Sequence, residues 1–354
     1  MFDKNLFAGK LCGITPYVVD RGTYKARLDA NESFIQLPEN LRLQFENAVS
    51  SFEFNRYPDP DATELVNAFC RFYGTKAESV CAGNGSDEII SLLMNCFLDH
   101  GDAVMTFSPD FSMYAFYAVL AGAKPVECPK DEKFQIDFDR AEKLIKDNKV
   151  KLVIFSNPCN PTGKIETKKN IAALSEKCRD TIFVVDEAYM DFASDAREES
   201  FLCDTEKYTN IIVLKTLSKA LGAASLRLGF IICDKTFANM FKAVKSPYNV
   251  NGISQCFGRI VLENKRLLND FTDRIAASTK SLLDAVVENG LGCPDKTYTN
   301  FVFFCDENAQ SKWEYMRENG VLVRKFGISG GALRITSGNE TENALVVQSL
   351  KNYR

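Results

Sequence analysis

Histidine is nearly absent from this chain: His100 is the single one among 354 residues. A Ser-His-Asp triad or a zinc site built on histidine therefore has almost no material. Twelve cysteines are present, but they are scattered, no CxxC pair occurs, and several sit in apolar runs such as Met94-Asn95-Cys96-Phe97 and Phe230-Ile231-Ile232-Cys233. Disulfide frameworks belong to short secreted chains, whereas scattered buried thiols suit a reducing compartment, so a cytoplasmic protein without a metal site is expected. Long blocks of one charge are missing too. Lys plus Arg total 43 against 47 for Asp plus Glu, so no polyanion-binding surface is announced and nucleic acid is not an expected partner. No apolar stretch reaches the length that spans a bilayer, and Met1 to Phe7 carries an early charge pair where a signal peptide would have an apolar run, so no membrane partner is expected either.

What is present is the material of a large packed core: 45% of residues are hydrophobic and 25% charged. A chain of this length favours two structural units over one. From about Ala62 to Tyr248, helix-like and strand-like stretches alternate. Ser86 to Leu98 reads as a helix after a glycine-rich turn. Ala103 to Phe107, Val150 to Phe155, Ile182 to Val185, Ile211 to Leu214 and Gly229 to Cys233 read as short strands. Strands separated by helices imply parallel crossovers, and runs apolar on both faces, such as Leu152-Val153-Ile154-Phe155, imply a covered sheet. The expected fold is a three-layer α/β/α large domain with a mixed, mostly parallel sheet, plus a smaller α+β domain. The second domain is read from a long helical stretch (about Ser254 to Asn289), strands near Phe301 and Leu333, and a closing helix from Thr341. Boundaries are drawn at 1–40 for an N-terminal arm packing with the small domain, 41–250 for the large domain and 251–354 for the small one.

Three fragments carry chemistry. Asn84-Gly85-Ser86-Asp87-Glu88 sets small residues at a helix start, where unpaired amides and the helix dipole can hold a phosphate. Asp186-Glu187-Ala188-Tyr189 follows the apolar run Ile182 to Val185, so Asp186 emerges at a strand's carboxyl end, where open α/β sheets bind ligands. Thr216-Leu217-Ser218-Lys219 ends another strand in a lysine beside two hydroxyls, with Arg227 eight positions on. Taken singly, each has an ordinary alternative: a capped turn, a solvated loop carboxylate, an exposed lysine. Together they match the needs of one cofactor. The phosphate of pyridoxal phosphate takes amides, hydroxyls and a guanidinium, its pyridine nitrogen takes a carboxylate, and its aldehyde takes an amine.

With these residues in view, the chain resembles the histidinol-phosphate aminotransferase family within the fold-type I pyridoxal-phosphate enzymes. The resemblance is nearly full length. It runs through Leu28-Asp29-Ala30-Asn31-Glu32-Ser33, Arg56-Tyr57-Pro58-Asp59-Pro60, Gly83 to Glu88, Asn157-Pro158-Cys159-Asn160-Pro161-Thr162-Gly163 and Asp186 to Tyr189. It continues through Thr216 to Lys219, Leu226-Arg227-Leu228-Gly229, Pro247-Tyr248-Asn249-Val250-Asn251, Asn300-Phe301-Val302, Val323-Arg324 and Leu333-Arg334-Ile335-Thr336. The resemblance implies that Lys219 carries the cofactor as a Schiff base, that Asp186 meets the pyridine nitrogen, and that Asn160 and Tyr189 contact the ring's phenolic oxygen, with Tyr189 in the catalytic set. Phe111 stands where the family usually has a tyrosine stacked on the ring. Gly85, the Ser86 and Asp87 amides, Thr216, Ser218 and Arg227 would hold the phosphate, with Tyr57 reaching it from a second subunit of an obligate homodimer with shared sites. Tyr17, Asn31, Arg324 and Arg334 match substrate-binding positions. Besides Phe111, the departures are Lys215 where arginine is common and Ala223-Ala224-Ser225 for a more usual Leu-Ala-Gly. Cys159, just before Asn160, reads as a passive filler, with a thiol of an exposed loop open to oxidation as the alternative.

The resemblance implies a transaminase. An amino donor displaces Lys219, whose freed amine then moves a proton from the substrate's alpha carbon, and 2-oxoglutarate takes the amino group in the second half of a ping-pong cycle. Histidinol phosphate is the expected donor. A threonine-phosphate decarboxylase or an aromatic amino acid transaminase on the same scaffold is the near alternative, and a noncatalytic effector-binding protein the remote one.

Overall fold

A computed structural model of the chain describes residues 8–11, 14, 19–292 and 294–353. Its helices are α1 (Glu39–Ser50), α2 (Thr63–Tyr73), α3 (Gly85–Phe97), α4 (Met113–Leu120), α5 (Phe138–Asn148), α6 (Lys168–Lys177), α7 (Lys235–Val244), α8 (Gly252–Glu263), α9 (Lys265–Glu288), α10 (Ala309–Glu318) and α11 (Glu340–Asn352). Its strands are β1 (Ala26–Leu28), β2 (Val80–Gly83), β3 (Ala103–Ser108), β4 (Lys124–Pro129), β5 (Val150–Ser156), β6 (Ile182–Asp186), β7 (Ile211–Thr216), β8 (Gly229–Ile232), β9 (Phe301–Cys305), β10 (Val321–Phe326) and β11 (Ala332–Thr336).

The larger sheet has the order β2-β8-β7-β6-β5-β3-β4. Its neighbours from β7 to β4 pair in parallel, while β8 runs antiparallel to both β7 and β2. Both faces are covered, as the unbroken apolar runs require. Along β5, Val153 and Phe155 enter one core and Leu152 and Ile154 the other; β7 divides the same way, Ile211 and Val213 against Ile212 and Leu214. The first core is closed by residues of α2, α5, α6, α8 and the start of α9, the second by α3, α4 and α7. This is the α/β/α sandwich expected from the sequence.

The smaller sheet has the order β1-β10-β11-β9, with β1 parallel to β10 and the other pairs antiparallel. Its core takes Val302, Phe304, Val323, Leu333 and Ile335 from the strands, and α10, α11 and the end of α9 cover it. The two cores divide inside α9: Leu268, Phe271 and Ile275 belong to the first, Leu282 and Val286 to that of the small sheet.

The stretch read as one long helix is two. It breaks at Asn264, whose side-chain amide donates to the Ile260 carbonyl at 2.8 Å, a local bond that competes with the helix ladder. Strands β1, β2, β4 and β10 were not singled out in the sequence. β1 is three residues long, and β4, with Pro125 and Pro129, is an edge strand with a mostly polar, exposed pattern. Among the described residues no helix is long and apolar enough to cross a membrane.

The reversal of β8 decides where its first residues lie. Because β8 starts where β7 and β2 end, Arg227-Leu228-Gly229 arrives at the same edge of the sheet as the N-terminus of α3. The backbones come so close there that a Cβ on Gly229 would stand 2.7 Å from the Gly85 carbonyl carbon and 2.8 Å from the Ser86 nitrogen. Gly229→Ala should therefore destabilise the fold by about 1–3 kcal/mol through overpacking against backbone that cannot move aside. A lowered thermal midpoint checks this; an unchanged midpoint would refute the close approach.

Candidate active site

Parallel strands release their chains at one edge of the sheet, and five of those exits make the site. β6 ends in Asp186, β7 leads to Thr216-Leu217-Ser218-Lys219, β5 to Asn157–Asn160, β3 to Asp110 and Phe111, and β2 to Gly85 and α3. Gly85 is at φ 83, in the left-handed region open to glycine, and a Cβ on it would stand 2.7 Å from Arg227 Nη2. Arg227 itself takes φ 51, which turns its guanidinium across Gly85 toward Asp87 Oδ2 at 3.2 Å. Ser86 Oγ is buried with no hydrogen-bond partner among the described residues. The Thr216 hydroxyl lies 2.9 Å from Ser218 Oγ and 3.1 Å from the Leu228 carbonyl. A rim of backbone amides, hydroxyls and one guanidinium thus surrounds the start of α3, the chemistry that binds a phosphate.

Lys219 is half-buried, and its Nζ donates to the Ala30 carbonyl at 3.0 Å. Burial, reinforced by the Arg334 guanidinium, brings the amine down to about 8. Lysine at that value is half neutral at about pH 8 and keeps a sizeable neutral fraction near physiological pH, the condition for a nucleophile or a general base. Asp186 is buried, and burial pushes its carboxyl up to about 6. Two donors work against that shift: the Tyr114 phenol, 2.9 Å from Oδ2, and the Ala188 amide, 3.1 Å from Oδ1. Tyr114 is buried and its own pKa lies well above 10, so it remains a donor. Phe111 stands edge-on to it, with ring centroids 5.4 Å apart.

The small sheet supplies the other side. Arg334 on β11 donates from Nη1 to Asn160 Oδ1 and from Nη2 to the Asp29 carbonyl, 2.5 Å each, with its guanidinium over the rings of Phe301 and Phe326. Arg324 lies directly opposite Arg334 in the β10–β11 register, so two cations share one face of the sheet. Tyr189, buried and pushed up to about 12 chiefly by burial, accepts from Asn31 Nδ2 at 2.8 Å. Asn31 is 1% exposed and its Oδ1 is taken by the Thr336 hydroxyl at 3.1 Å.

Tyr57 is 81% exposed and stacks on Tyr248 with centroids 4.7 Å apart; Tyr17 lies outside the described residues. Cys159 is not exposed: it is buried 2.9 Å from Lys130 Nζ, because the loop after β5 folds inward over the sheet edge. Lys215 is buried too and pairs with Asp191 at 2.8 Å. Sequence reasoning missed Tyr114 and the pair of Lys130 with Asp110 (3.3 Å), whose carboxylate also accepts from Ser156 Oγ at 2.5 Å. Tyr114 sits three residues after Phe111 in an apolar helical run that reads simply as core. Nothing in the sequence pairs Lys130 with Asp110.

Most of the chain, residues 23–350, matches the family described as aminotransferase class I and II, and the chain belongs to that family. Among its relatives, the histidinol-phosphate aminotransferase of Clostridium novyi (strain NT) is 39% identical over 99% of this chain and 98% of that protein. The histidinol-phosphate aminotransferase of Clostridium kluyveri (strain ATCC 8527 / DSM 555 / NBRC 12016 / NCIMB 10680 / K1) is 35% identical over 98% of each. The fold is that of the crystal structure of histidinol-phosphate aminotransferase from Sinorhizobium meliloti in complex with pyridoxal-5'-phosphate, with a TM-score of 0.88 at 21% identity over 100% of this chain and 99% of that one.

Tyr114→Phe should raise the Asp186 carboxyl from its value of about 6, since the lost donor favoured the anion. The expected rise is about one unit, the worth of one buried hydrogen bond to a charged group. Protonation then takes over at higher pH than in the wild type. Isotope-edited infrared spectra of the Asp186 carboxylate band across pH read this shift directly, and an unmoved titration would sever Tyr114 from Asp186.

Proposed function

We propose that this protein is a pyridoxal-phosphate-dependent histidinol-phosphate aminotransferase, which moves an amino group between histidinol phosphate and 2-oxoglutarate. The observation that carries the reading is Lys219: a lysine with its amine brought down to about 8, held at the sheet edge with the phosphate-binding rim on one side and Arg334 on the other. The residues fit the cofactor. The unpartnered Ser86 hydroxyl and the Arg227 guanidinium held across Gly85 suit a phosphate group, and buried Asp186 suits a cationic ring nitrogen.

In this reading Gly85, the amides of Ser86 and Asp87, the Thr216 and Ser218 hydroxyls and Arg227 hold the phosphate. Phe111 lies against the ring, which keeps a stacking surface without the usual hydroxyl. Asp186 holds a proton on the ring nitrogen, and the Tyr114 donor keeps Asp186 anionic for that task. Asn160 spends its Oδ1 on Arg334, which leaves its amide nitrogen to donate, beside Tyr189, to the ring's phenolic oxygen. Bound there, pyridoxal phosphate supplies an electron sink for the charge that develops when the substrate's alpha carbon loses its proton. Lys219 Nζ would hold the cofactor and, when free, would take that proton and return it on the product side. The planar fork of Arg334 grips a carboxylate of glutamate or 2-oxoglutarate or the phosphate of histidinol phosphate, and Arg324 with Tyr17 adds contacts that a three-oxygen dianion uses more fully.

The active form is a homodimer in the cytoplasm. Support for that compartment is the scatter of the cysteines, several in apolar runs, in place of a disulfide framework. Support for the dimer comes from large apolar side chains left in water: Tyr57 at 81% exposure, stacked on Tyr248, Phe54 at 68% and Leu43 at 52%. In that dimer Tyr57 would reach the cofactor phosphate of the second subunit.

Lys219→Ala should abolish turnover and the visible band of the cofactor while leaving the fold intact, and borohydride reduction of the wild type should leave the cofactor on the peptide that contains Lys219. Label on another lysine would overturn the assignment, and a specificity constant higher for phenylalanine than for histidinol phosphate would overturn the substrate.

Mixing Tyr57→Ala with Lys219→Ala under conditions that exchange subunits should regenerate one intact site per heterodimer. No recovered activity despite demonstrated exchange would count against a shared site.

A further inference from the structure

Asn31 occupies a left-handed backbone position at φ 56 and is buried between the two sheets' contributions to the site. Its backbone N–H, which can only donate, reaches Thr336 Oγ1 at 3.0 Å. The Thr336 hydroxyl, accepting that bond with one lone pair, donates its single proton back to Asn31 Oδ1 at 3.1 Å. An asparagine side chain presents oxygen on one side and NH2 on the other, so an oxygen turned to Thr336 turns Nδ2 to Tyr189, 2.8 Å from its phenol oxygen. Nδ2 has no lone pair to accept with. The phenol therefore receives a bond from Asn31 and must send its own proton elsewhere. Burial keeps that proton in place, and the charged and titratable groups that bear on Tyr189 are Arg334, Asp186 and Cys159.

We propose that Asn31 is a positioning residue: through Thr336 it is held as a hydrogen-bond donor to Tyr189, and so aims the Tyr189 proton at the phenolic oxygen of the bound cofactor. The proposal rests on the reading that Tyr189 faces that oxygen. It replaces direct substrate contact, which the sequence suggested for Asn31, because both ends of the buried amide are engaged inside the protein. The role explains why the tip of the arm, just after β1, is bonded to the end of β11 as well as to the large sheet. A donor held on the phenolic oxygen favours its anion and lowers the pKa of the cofactor's linkage to Lys219. Without the donor that pKa rises.

The test is a double-mutant cycle on the holoenzyme, read as the pH titration of its visible absorbance in the absence of substrate. Asn31→Asp keeps size and tolerates the left-handed backbone, but offers Tyr189 only acceptors, which draw the phenol's proton away. The added charge acts in any background; the diverted proton acts only when Tyr189 is present. We expect Asn31→Asp to raise the linkage pKa by about one unit more in the wild type than in the Tyr189→Phe background, a tenfold change from one redirected hydrogen bond. Equal shifts in the two backgrounds, with Tyr189→Phe itself raising the pKa, overturn the role of Asn31 and leave Tyr189 at the cofactor. A silent Tyr189→Phe removes Tyr189 from the phenolic oxygen, and the proposal falls with it. Should Asn31→Asp fail to fold, Thr336→Val, which adds no charge, is expected to give a smaller rise that vanishes in the Tyr189→Phe background, and a rise that persists there overturns the proposal.

Discussion

The approach of two backbones at the sheet edge, Gly229 against Gly85 and Ser86, is the constraint on which the rest of the site depends. It exists because β8 runs against its neighbours, so that a strand's beginning, not its end, meets the N-terminus of α3. From that junction follow the left-handed turn at Arg227, its guanidinium over Gly85, and the group of amides and hydroxyls suited to a phosphate. A side chain at Gly229 would meet the backbone of Gly85 and Ser86, and one at Gly85 the guanidinium of Arg227.

The electrostatics follow from putting opposite demands into one buried volume. Asp186 is driven toward its neutral form by burial and held back by Tyr114, while Lys219 is driven toward its neutral form by burial and by Arg334. For the amine, neutrality is useful. The proposed function needs the carboxylate charged, and a buried phenol that holds its own proton is packed against it. Behind these groups the Lys130–Asp110 pair, tied to Ser156 Oγ, which in turn accepts from the Asn160 amide at 2.9 Å, braces the loops after β3 and β5. An ion pair so deeply buried is a weak source of net stability, and its value here lies in fixing geometry.

The small sheet brings a cation to the site. Arg334 bonds at once to Asn160 of the large sheet's loop and to the carbonyl of Asp29 in the arm, and Lys219 bonds to the neighbouring carbonyl of Ala30. Three stretches distant in sequence thus share a few hydrogen bonds around one amine.

Local signals in the sequence determined the sandwich and the reactive groups. The apolar runs of β5, β6 and β7 require a sheet covered on both faces, and Asp186 and Lys219 follow such runs directly, so periodicity alone brings them to the ligand-binding edge. The arrangement of the motifs carried the family. Only the tertiary structure decided the antiparallel course of β8, the break at Asn264, the inward fold of Cys159, the division of the cores within α9, and the bonds from Tyr114 to Asp186 and from Asn31 to Tyr189. The physical reason is the range of the interactions. Strand and helix preferences act between residues a few positions apart, whereas Tyr114 lies 72 residues from Asp186 and Asn31 lies 158 from Tyr189, and the direction of a hydrogen bond at such separations is set by what the whole fold has already buried.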